Sequence, residues 1–170
     1  DEWVQSALQR GDRVWWYFCQ LPIHAEYPGP IHASPGMIVD RPAIDHRVIY
    51  WLAFKQKIEG VAYWAISSWP DGWENWPKSP WPVNPLSKFP YSGQHNGNGF
   101  VCYPGNNGNT WPSIRLKCIR DGLEDHDYLT ILRNRSEGNP SPAVRRLLDL
   151  PPEVAMGLRY YNKNPRALLQ

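Results

Sequence analysis

RVWWYFC at residues 13–19 and VAYWAIS at residues 61–67 are the two stretches that decide the predicted fold. Both are uninterrupted runs of β-branched, aromatic and small apolar residues, a pattern typical of strands buried on both faces of a parallel sheet. Residues 42–60, between them, carry apolar side chains at helical spacing, which predicts a strand–helix–strand crossover. A further apolar run, GFVCYPG at 99–105, predicts a third strand.

The other periodic segments predict helices. They cover residues 1–10, residues 42–60 with Asp40 as the N-cap, and residues 112–135. Two shorter helices, near 142–149 and 152–161, are expected to form a terminal helical extension over residues 136–170. The side chains predicted to face the core of the two long helices are Ile44, Val48, Trp51, Leu52, Ile58, Leu116, Ile119, Leu123, Leu129 and Leu132.

The order of these elements predicts an α/β fold with a parallel sheet and helices outside it. Three strands cannot close a sheet, and a complete (β/α)₈ barrel typically needs about 250 residues. Residues 1–170 are therefore predicted to be the C-terminal part of a (β/α)₈ TIM-type barrel, its last three strands with their helices. An open doubly wound sheet is the alternative. Because the chain lacks an initiator Met and starts within a predicted helix, it is expected to be a piece of a longer polypeptide.

The amino-acid composition limits the classes of binding partner that the sequence predicts. The chain carries 18 Lys and Arg against 16 Asp and Glu, a formal net charge of +2, which gives no electrostatic case for binding nucleic acid or an anionic membrane. No apolar run approaches the roughly 20 residues that span a bilayer. The cysteines have no paired C-x-x-C spacing, and the histidines have no i, i+4 pair with a third ligand, so neither a metal nor another cofactor is predicted.

Aromatic side chains are concentrated after the second predicted strand. Residues 61–82 hold five of the ten tryptophans, and the loop at 68–98 leaves the strand end where parallel α/β folds bind ligands. Tryptophan rings are flat surfaces on which sugar rings stack, and we expect one or two of them, with Trp69 and Trp73 among the candidates, to contact a ligand. The alternative is a loop that builds its own small core from Trp and Pro.

Four ordered segments carry a family resemblance. GDRVWWYFC, DRPAIDHRVIYWLAFKQKIEGVAYWAISSW, GNGFVCYPG and SIRLKCIRDGLEDHDYL, within residues 11–130, resemble the C-terminal part of the catalytic barrel of glycoside hydrolase family 123. The resemblance implies a retaining β-N-acetylgalactosaminidase in which the acetamide of the substrate attacks its own anomeric carbon. An Asp orients that acetamide and a neighbouring Glu protonates the leaving oxygen. It also implies a carbohydrate substrate, an N-terminal remainder of the same barrel as partner, and a secreted or periplasmic location.

The resemblance also bears on individual residues. Asp1 and Glu2 match the catalytic Asp–Glu pair in type only, because they precede the first strand at its N-terminal end, and we predict that the pair lies upstream of this chain. The strand at 61–67, with Trp64 near its C-terminal end, resembles one wall of the sugar pocket, so the ring of Trp64 is expected to contact substrate, with the hydroxyls of Tyr17 and Tyr103 near the ends of the flanking strands. The alternative is that Trp64 points outward, under the helices, as part of the core.

Two positions depart from the family pattern. Asn98 stands where relatives commonly carry Asp in a GDG sequence, and Lys117 stands where they commonly carry Glu. Asn98 precedes the third predicted strand, so this change can alter a ligand contact. Two other functions remain open: a non-catalytic carbohydrate-binding or scaffold module, and an α/β domain whose Trp-rich loop binds a protein.

Overall fold

The computed structural model describes residues 2–18, 34–39, 41–68, 97–105, 109–158 and 160–169. These residues form a mixed α/β arrangement with three two-stranded sheets. The elements in chain order are α1 (Glu2–Gln9), β1 (Trp15–Phe18), α2 (Asp45–Gln56), β2 (Gly60–Tyr63), β3 (Cys102–Pro104), β4 (Thr110–Pro112), α3 (Ile114–Arg135), α4 (Pro142–Leu148), β5 (Ala155–Gly157), β6 (Tyr160–Tyr161) and a short 3₁₀-helix (Pro165–Leu169).

The predicted crossover is confirmed. Strands β1 and β2 pair in parallel, with Trp15 opposite Gly60 and Phe18 opposite Tyr63. Helix α2 connects them, as a parallel pair requires. The amide of Trp64 donates to the carbonyl of Phe18 at 3.3 Å and continues the ladder past the end of β2.

The two faces of this sheet differ in burial. Trp16 and Phe18 pack against a buried cluster of Met37, Ile49 and Tyr50, which places α2 on their side of the sheet. On the other side, Trp15 is 60% and Tyr17 is 64% exposed. The prediction that β1 is buried on both faces is therefore wrong among the described residues, because α2 covers one face only. We call the side that carries Trp15, Tyr17 and Ala62 the open face.

Helix α2 is the centre of the core. The residues predicted to form its inner face and the following turn, Ile44, Val48, Trp51, Leu52 and Ile58, are all buried. Leu129 of the helix at 114–135 and three residues of the C-terminal segment, Leu150, Val154 and Ala155, join the same buried cluster, against which Trp16 of β1 also packs. The predicted N-cap was wrong, because α2 starts at Asp45 after Ile44, which makes no side-chain cap hydrogen bond. Asp40 lies outside the described residues.

Helix α3 packs closely on α2. Gly122 faces α2, and a Cβ atom at this position would lie 2.5 Å from the ring of Tyr50 and 2.9 Å from the carbonyl oxygen of Arg47. The glycine therefore lets the two backbones approach. Because the contact centres on Gly122 and Leu129, the predicted inward position of Leu123 is wrong, and its side chain is 49% exposed.

An ion pair joins the same two helices. The guanidinium of Arg47 donates to the carboxylate of Asp125 through Nε at 2.5 Å and Nη2 at 2.8 Å. The indole Nε1 of Trp51 donates to the same carboxylate at 2.7 Å. The hydrogen bond to Asp125 raises the pKa of Arg47 above its usual value. Arg47, Trp51 and Asp125 therefore tie α2 to α3.

Asp125→Ala is expected to lower the free energy of unfolding by about 2 kcal/mol, because it leaves two part-buried donors unpaired. The side chain of Arg47 is 30% exposed, so water partly compensates and the loss stays below that of a fully buried pair. Urea unfolding measures the change. Asp121→Ala removes an exposed partner of Arg120 and is the matched control, for which we expect less than about 0.5 kcal/mol. Equal losses in the two variants would contradict the assignment.

The third predicted strand is placed differently from the prediction. Strand β3 forms an antiparallel hairpin with β4, with Tyr103 opposite Trp111, and is not the next parallel strand of the β1–β2 sheet. The run meets the chain after β2 through an antiparallel bridge between Ser67 and Phe100. Residue 112 belongs to β4, and α3 starts after its N-cap Ser113. The barrel therefore stays a prediction.

The C-terminal segment is only partly helical. Helix α4 confirms the prediction near 142–149, but the helix predicted at 152–161 is wrong, because residues there form the antiparallel strands β5 and β6. Tertiary contacts override local propensity here: Ala155 is fully buried against α2, and the hydroxyl of Tyr161 donates to Asp45 at 2.8 Å. At the other end, α1 is a helix as predicted, but none of its residues is buried.

Candidate functional site

The C-terminal ends of β1 and β2 carry two of the five predicted sugar-contacting residues. Tyr17 pairs with Ala62 on the open face. Val61 and Tyr63 pack toward α2. Trp64 directly follows the end of β2, and its indole converges with the hydroxyl of Tyr63 on Asn98. The side chain of Trp64 is 41% exposed. This end of a parallel sheet is where α/β folds place their ligands.

Asn98 fixes the orientation of the Trp64 ring. Its Oδ1 accepts hydrogen bonds from the indole Nε1 of Trp64 and from the hydroxyl of Tyr63, both at 2.8 Å. The same hydroxyl accepts from the amide of Gly99 at 2.6 Å. Asn98 is itself only 8% exposed, so this network is shielded from water. The indole is consequently held by a hydrogen bond at its polar edge while part of its surface stays open.

Gly99 lets the loop pass directly against this ring. Its φ of +81° is unfavourable for residues with a side chain, and a Cβ atom there would lie 2.5 Å from Cζ2 of Trp64. Sequence reasoning singled out Asn98 and Trp64 but missed Tyr63 and Gly99. The available signal was the short GNG sequence, whose glycines indicate both a turn and a close approach.

The remaining predicted residues lie elsewhere. Trp69 and Trp73 are outside the described residues. Tyr103 lines a cavity of about 420 Å³ between the N-termini of α2 and α3 and the β3–β4 hairpin, and neither Tyr17 nor Trp64 lines it. We call it the interhelical cavity. Its described lining residues are Val39, Arg41, Ala43, His46, Tyr103, Trp111, Pro112, Ser113, Ile114, Arg115 and Cys118.

Buried cationic and imidazole groups line the interhelical cavity. Arg115 is 4% exposed and donates to the carbonyls of Met37 at 2.8 Å, Gly97 at 2.7 Å and Phe100. His46 is 1% exposed, and burial, followed by the charge of Arg115, lowers the pKa of its imidazole to about 4. Sequence reasoning placed His46 on a helix without giving it a role, because nothing local reveals that Arg115 packs beside it.

Several further findings limit the chemistry of the described residues. None of their His, Cys, Asp and Glu side chains form a group of three that could hold a metal ion. No helix in the described ranges combines the length and apolar character needed to cross a membrane. Glu2 lies in α1, which precedes β1, while Asp1 is outside the described residues. Their exclusion from catalysis stays a prediction.

Comparison with known proteins identifies the family. None of the curated proteins compared with this chain matches it. The family model described as "Glycoside hydrolase 123, catalytic domain" matches residues 1–132, well over half of the 170 residues. The match spans α1, the β1–α2–β2 crossover, the β3–β4 hairpin and most of α3. The chain therefore belongs to glycoside hydrolase family 123, and residues 1–132 are part of its catalytic domain.

Proposed function

We propose that this chain supplies one wall of the sugar pocket of a β-N-acetylhexosaminidase, of the galactosaminidase type, that works by a retaining, substrate-assisted mechanism. Membership of a glycoside hydrolase family supports glycosidase activity and a carbohydrate substrate. The observation that carries the finer proposal is the Trp64 ring, which is half-exposed just after the C-terminal end of β2 and is held by Asn98. Tyr17 lies near the C-terminal end of the neighbouring strand β1.

The geometry suits a sugar ring better than a charged ligand. An indole face offers a flat apolar surface on which the axial C–H bonds of a pyranose stack. Because Nε1 of Trp64 is already bonded to Asn98, the ring cannot turn to offer that edge instead. An amide at position 98 keeps the supporting network uncharged, whereas an Asp would bring a carboxylate to the Nε1 edge of the ring.

The reaction itself needs groups beyond this wall. In the proposed mechanism the acetamide oxygen of the substrate attacks the anomeric carbon and forms a cyclic oxazolinium intermediate, which water then opens with overall retention. An Asp orients the acetamide, and a Glu with a raised pKa protonates the leaving oxygen. We propose that this pair lies on an earlier strand of the same barrel. The exposed ring of Trp15, toward the N-terminal end of β1, supports packing of a further part of the barrel on the open face.

Fluorination of the substrate's acyl group tests the mechanism in the intact enzyme. With aryl β-galactosaminides that carry acetyl, fluoroacetyl, difluoroacetyl and trifluoroacetyl groups, kcat/KM is expected to fall at each step, by about 10²-fold or more overall, or about 3 kcal/mol. The physical reason is that fluorine withdraws electrons from the attacking carbonyl oxygen. The matching aryl β-galactoside, which lacks the acetamide, is expected to be inert.

Two outcomes would contradict the proposal. A rate that is insensitive to fluorination would exclude participation of the acetamide and indicate an enzyme nucleophile. Binding of the sugars without hydrolysis would favour the alternative, a non-catalytic carbohydrate-binding module on the same fold. Retention is checked separately, because NMR of the first-formed product distinguishes the β from the α anomer before mutarotation.

A further inference from the structure

The interhelical cavity has the dimensions of a small-molecule site. Its volume of about 420 Å³ lies within the range typical of ligand pockets. It is built from three separate parts of the chain: the turn before α2, the start of α3 and the β3–β4 hairpin. These parts are joined by buried hydrogen bonds, among them Ser113 Oγ to the carbonyl of Val101 at 2.7 Å. The cavity is therefore a feature of the packed fold.

His46 is a buried polar group in the wall of this cavity. Its side chain is 1% exposed, and neither Nδ1 nor Nε2 makes a hydrogen bond of regular geometry among the described residues, although the backbone of Ala43, Ile38 and Pro42 lies near enough to favour the protonated imidazole. A buried polar group without a well-formed hydrogen bond destabilises the folded protein, so native proteins rarely retain one. Both nitrogens are shielded from solvent, and a small rotation of the ring that lines the cavity would bring one of them to a ligand there.

The charge of the cavity favours an anion. Arg41 has the carboxylate of Asp45 at 3.9 Å, but the three contacts of Arg115 given above are neutral carbonyls, so its positive charge is not balanced by them. None of the described lining residues is acidic. The N-terminus of the 22-residue helix α3 also opens here. Its N-cap Ser113 accepts from the amide of Leu116, and the amides of Ile114 and Arg115 before it have no acceptor within the helix.

The wall of the cavity suits an organic body rather than a bare ion. Trp111 is 42% exposed and Ile114 is 72% exposed at the rim, and Tyr103 lies beside Trp111 in the hairpin register. In a glycosidase catalytic domain, an exposed indole next to hydrogen-bonding groups suits a sugar ring. We propose that the interhelical cavity binds an acidic sugar residue, whose carboxylate or sulfate lies near His46 and Arg115 and whose ring stacks on Trp111.

The interhelical cavity is separate from the proposed sugar-pocket wall that contains Trp64. The proposal of an acidic-sugar site rests on the carbohydrate specificity of the family and does not depend on the proposed hydrolase mechanism. Binding is measured on the intact protein by isothermal titration calorimetry, without catalysis. Glucuronate and galactose 6-sulfate are the anionic probes, galactose is the neutral probe, and sodium sulfate is the bare anion. We expect at least one anionic sugar to bind with Kd of about 1 mM or tighter and at least about 10-fold more tightly than galactose and sulfate.

Two variants locate the binding. Ile114→Glu puts a carboxylate at the cavity rim and should weaken binding of the anionic sugar at least about 10-fold through like-charge repulsion. The helix itself should tolerate the change, because a Glu is favourable in the first turn of α3. Trp111→Ala should weaken it by a similar factor. Trp3→Ala, at a residue that is 90% exposed in α1, is the matched control and should leave Kd unchanged.

The outcomes separate the alternatives. If glucuronate binds and galactose 6-sulfate does not, or the reverse, the result identifies which anionic group the cavity prefers. The proposal is overturned if neither anionic sugar binds, if galactose or sodium sulfate binds as tightly as the anionic sugars, or if binding survives both cavity variants. Trp64→Ala should leave this binding intact, so failure of the proposed hydrolase mechanism and failure of this site are distinguishable.

Discussion

Trp64→Ala is expected to lower kcat/KM of the intact enzyme by about 10²-fold or more, or about 3 kcal/mol, with the fold largely retained. The indole is 41% exposed, so its removal leaves no closed core cavity. It does remove the flat surface against which we propose the sugar is aligned, and misalignment at the reacting carbon raises the activation free energy of the reaction. Steady-state kinetics on an aryl N-acetyl-β-galactosaminide measures the change.

Two further variants make this result interpretable. Trp3→Ala removes an equally large ring that is 90% exposed in α1, and its kcat/KM should not change. Tyr63→Phe removes the hydroxyl that donates to Asn98 and accepts from Gly99, and should lower kcat/KM by a smaller factor because the ring of Trp64 keeps its own bond to Asn98. A Trp64→Ala protein that melts far earlier yet turns over normally at low temperature would identify Trp64 as core.

The face of the sheet on which each residue of the second strand lies could not be predicted from the sequence. VAYWAIS is apolar at most positions, so either phase of the strand would bury large side chains. Helix α2 decides the phase, because Ile49 and Tyr50 pack with Val61 and Tyr63 and leave the alternate positions on the open face. The parallel pairing itself was predictable, since a helix of adequate length separates two apolar runs.

The third apolar run shows where such reasoning fails. GFVCYPG is apolar enough for a strand, but a short run does not specify its partner or direction. A local contact decides both: the amide of Gly105 donates to the carbonyl of Asn109 at 2.7 Å and closes a hairpin with Thr110–Pro112. The interhelical cavity was missed for a related reason, because its residues come from segments whose proximity depends on this hairpin and on α2–α3 packing.

The second large effect expected is a loss of stability at mildly acidic pH that depends on His46. Burial lowers the pKa of His46 to about 4 in the folded protein, against 6.5 for an unperturbed imidazole. Between these two values the unfolded chain binds a proton that the folded protein does not. The free energy of unfolding is therefore fully retained above pH 6.5 and falls by about 3 kcal/mol as the pH drops to 4, with no further loss from this group below that.

Urea unfolding between pH 7 and pH 4 measures this loss, and His46→Leu should abolish most of it. Arg41, Arg115 and Cys118 line the same cavity as His46. Burial raises the pKa of the neighbouring Asp45, and this shift opposes the loss of stability that His46 causes as the pH falls. Asp45 is present in both proteins, so the difference between their pH profiles isolates His46.

His126, whose pKa is also lowered by burial, is the matched control. His126→Leu should keep the steep pH dependence, because the side chain of His126 is 32% exposed. Parallel profiles for the parent protein and His46→Leu would show that the imidazole is protonated, and thus solvated, in the folded state. That result would also remove the neutral, buried imidazole on which the anionic-sugar site depends.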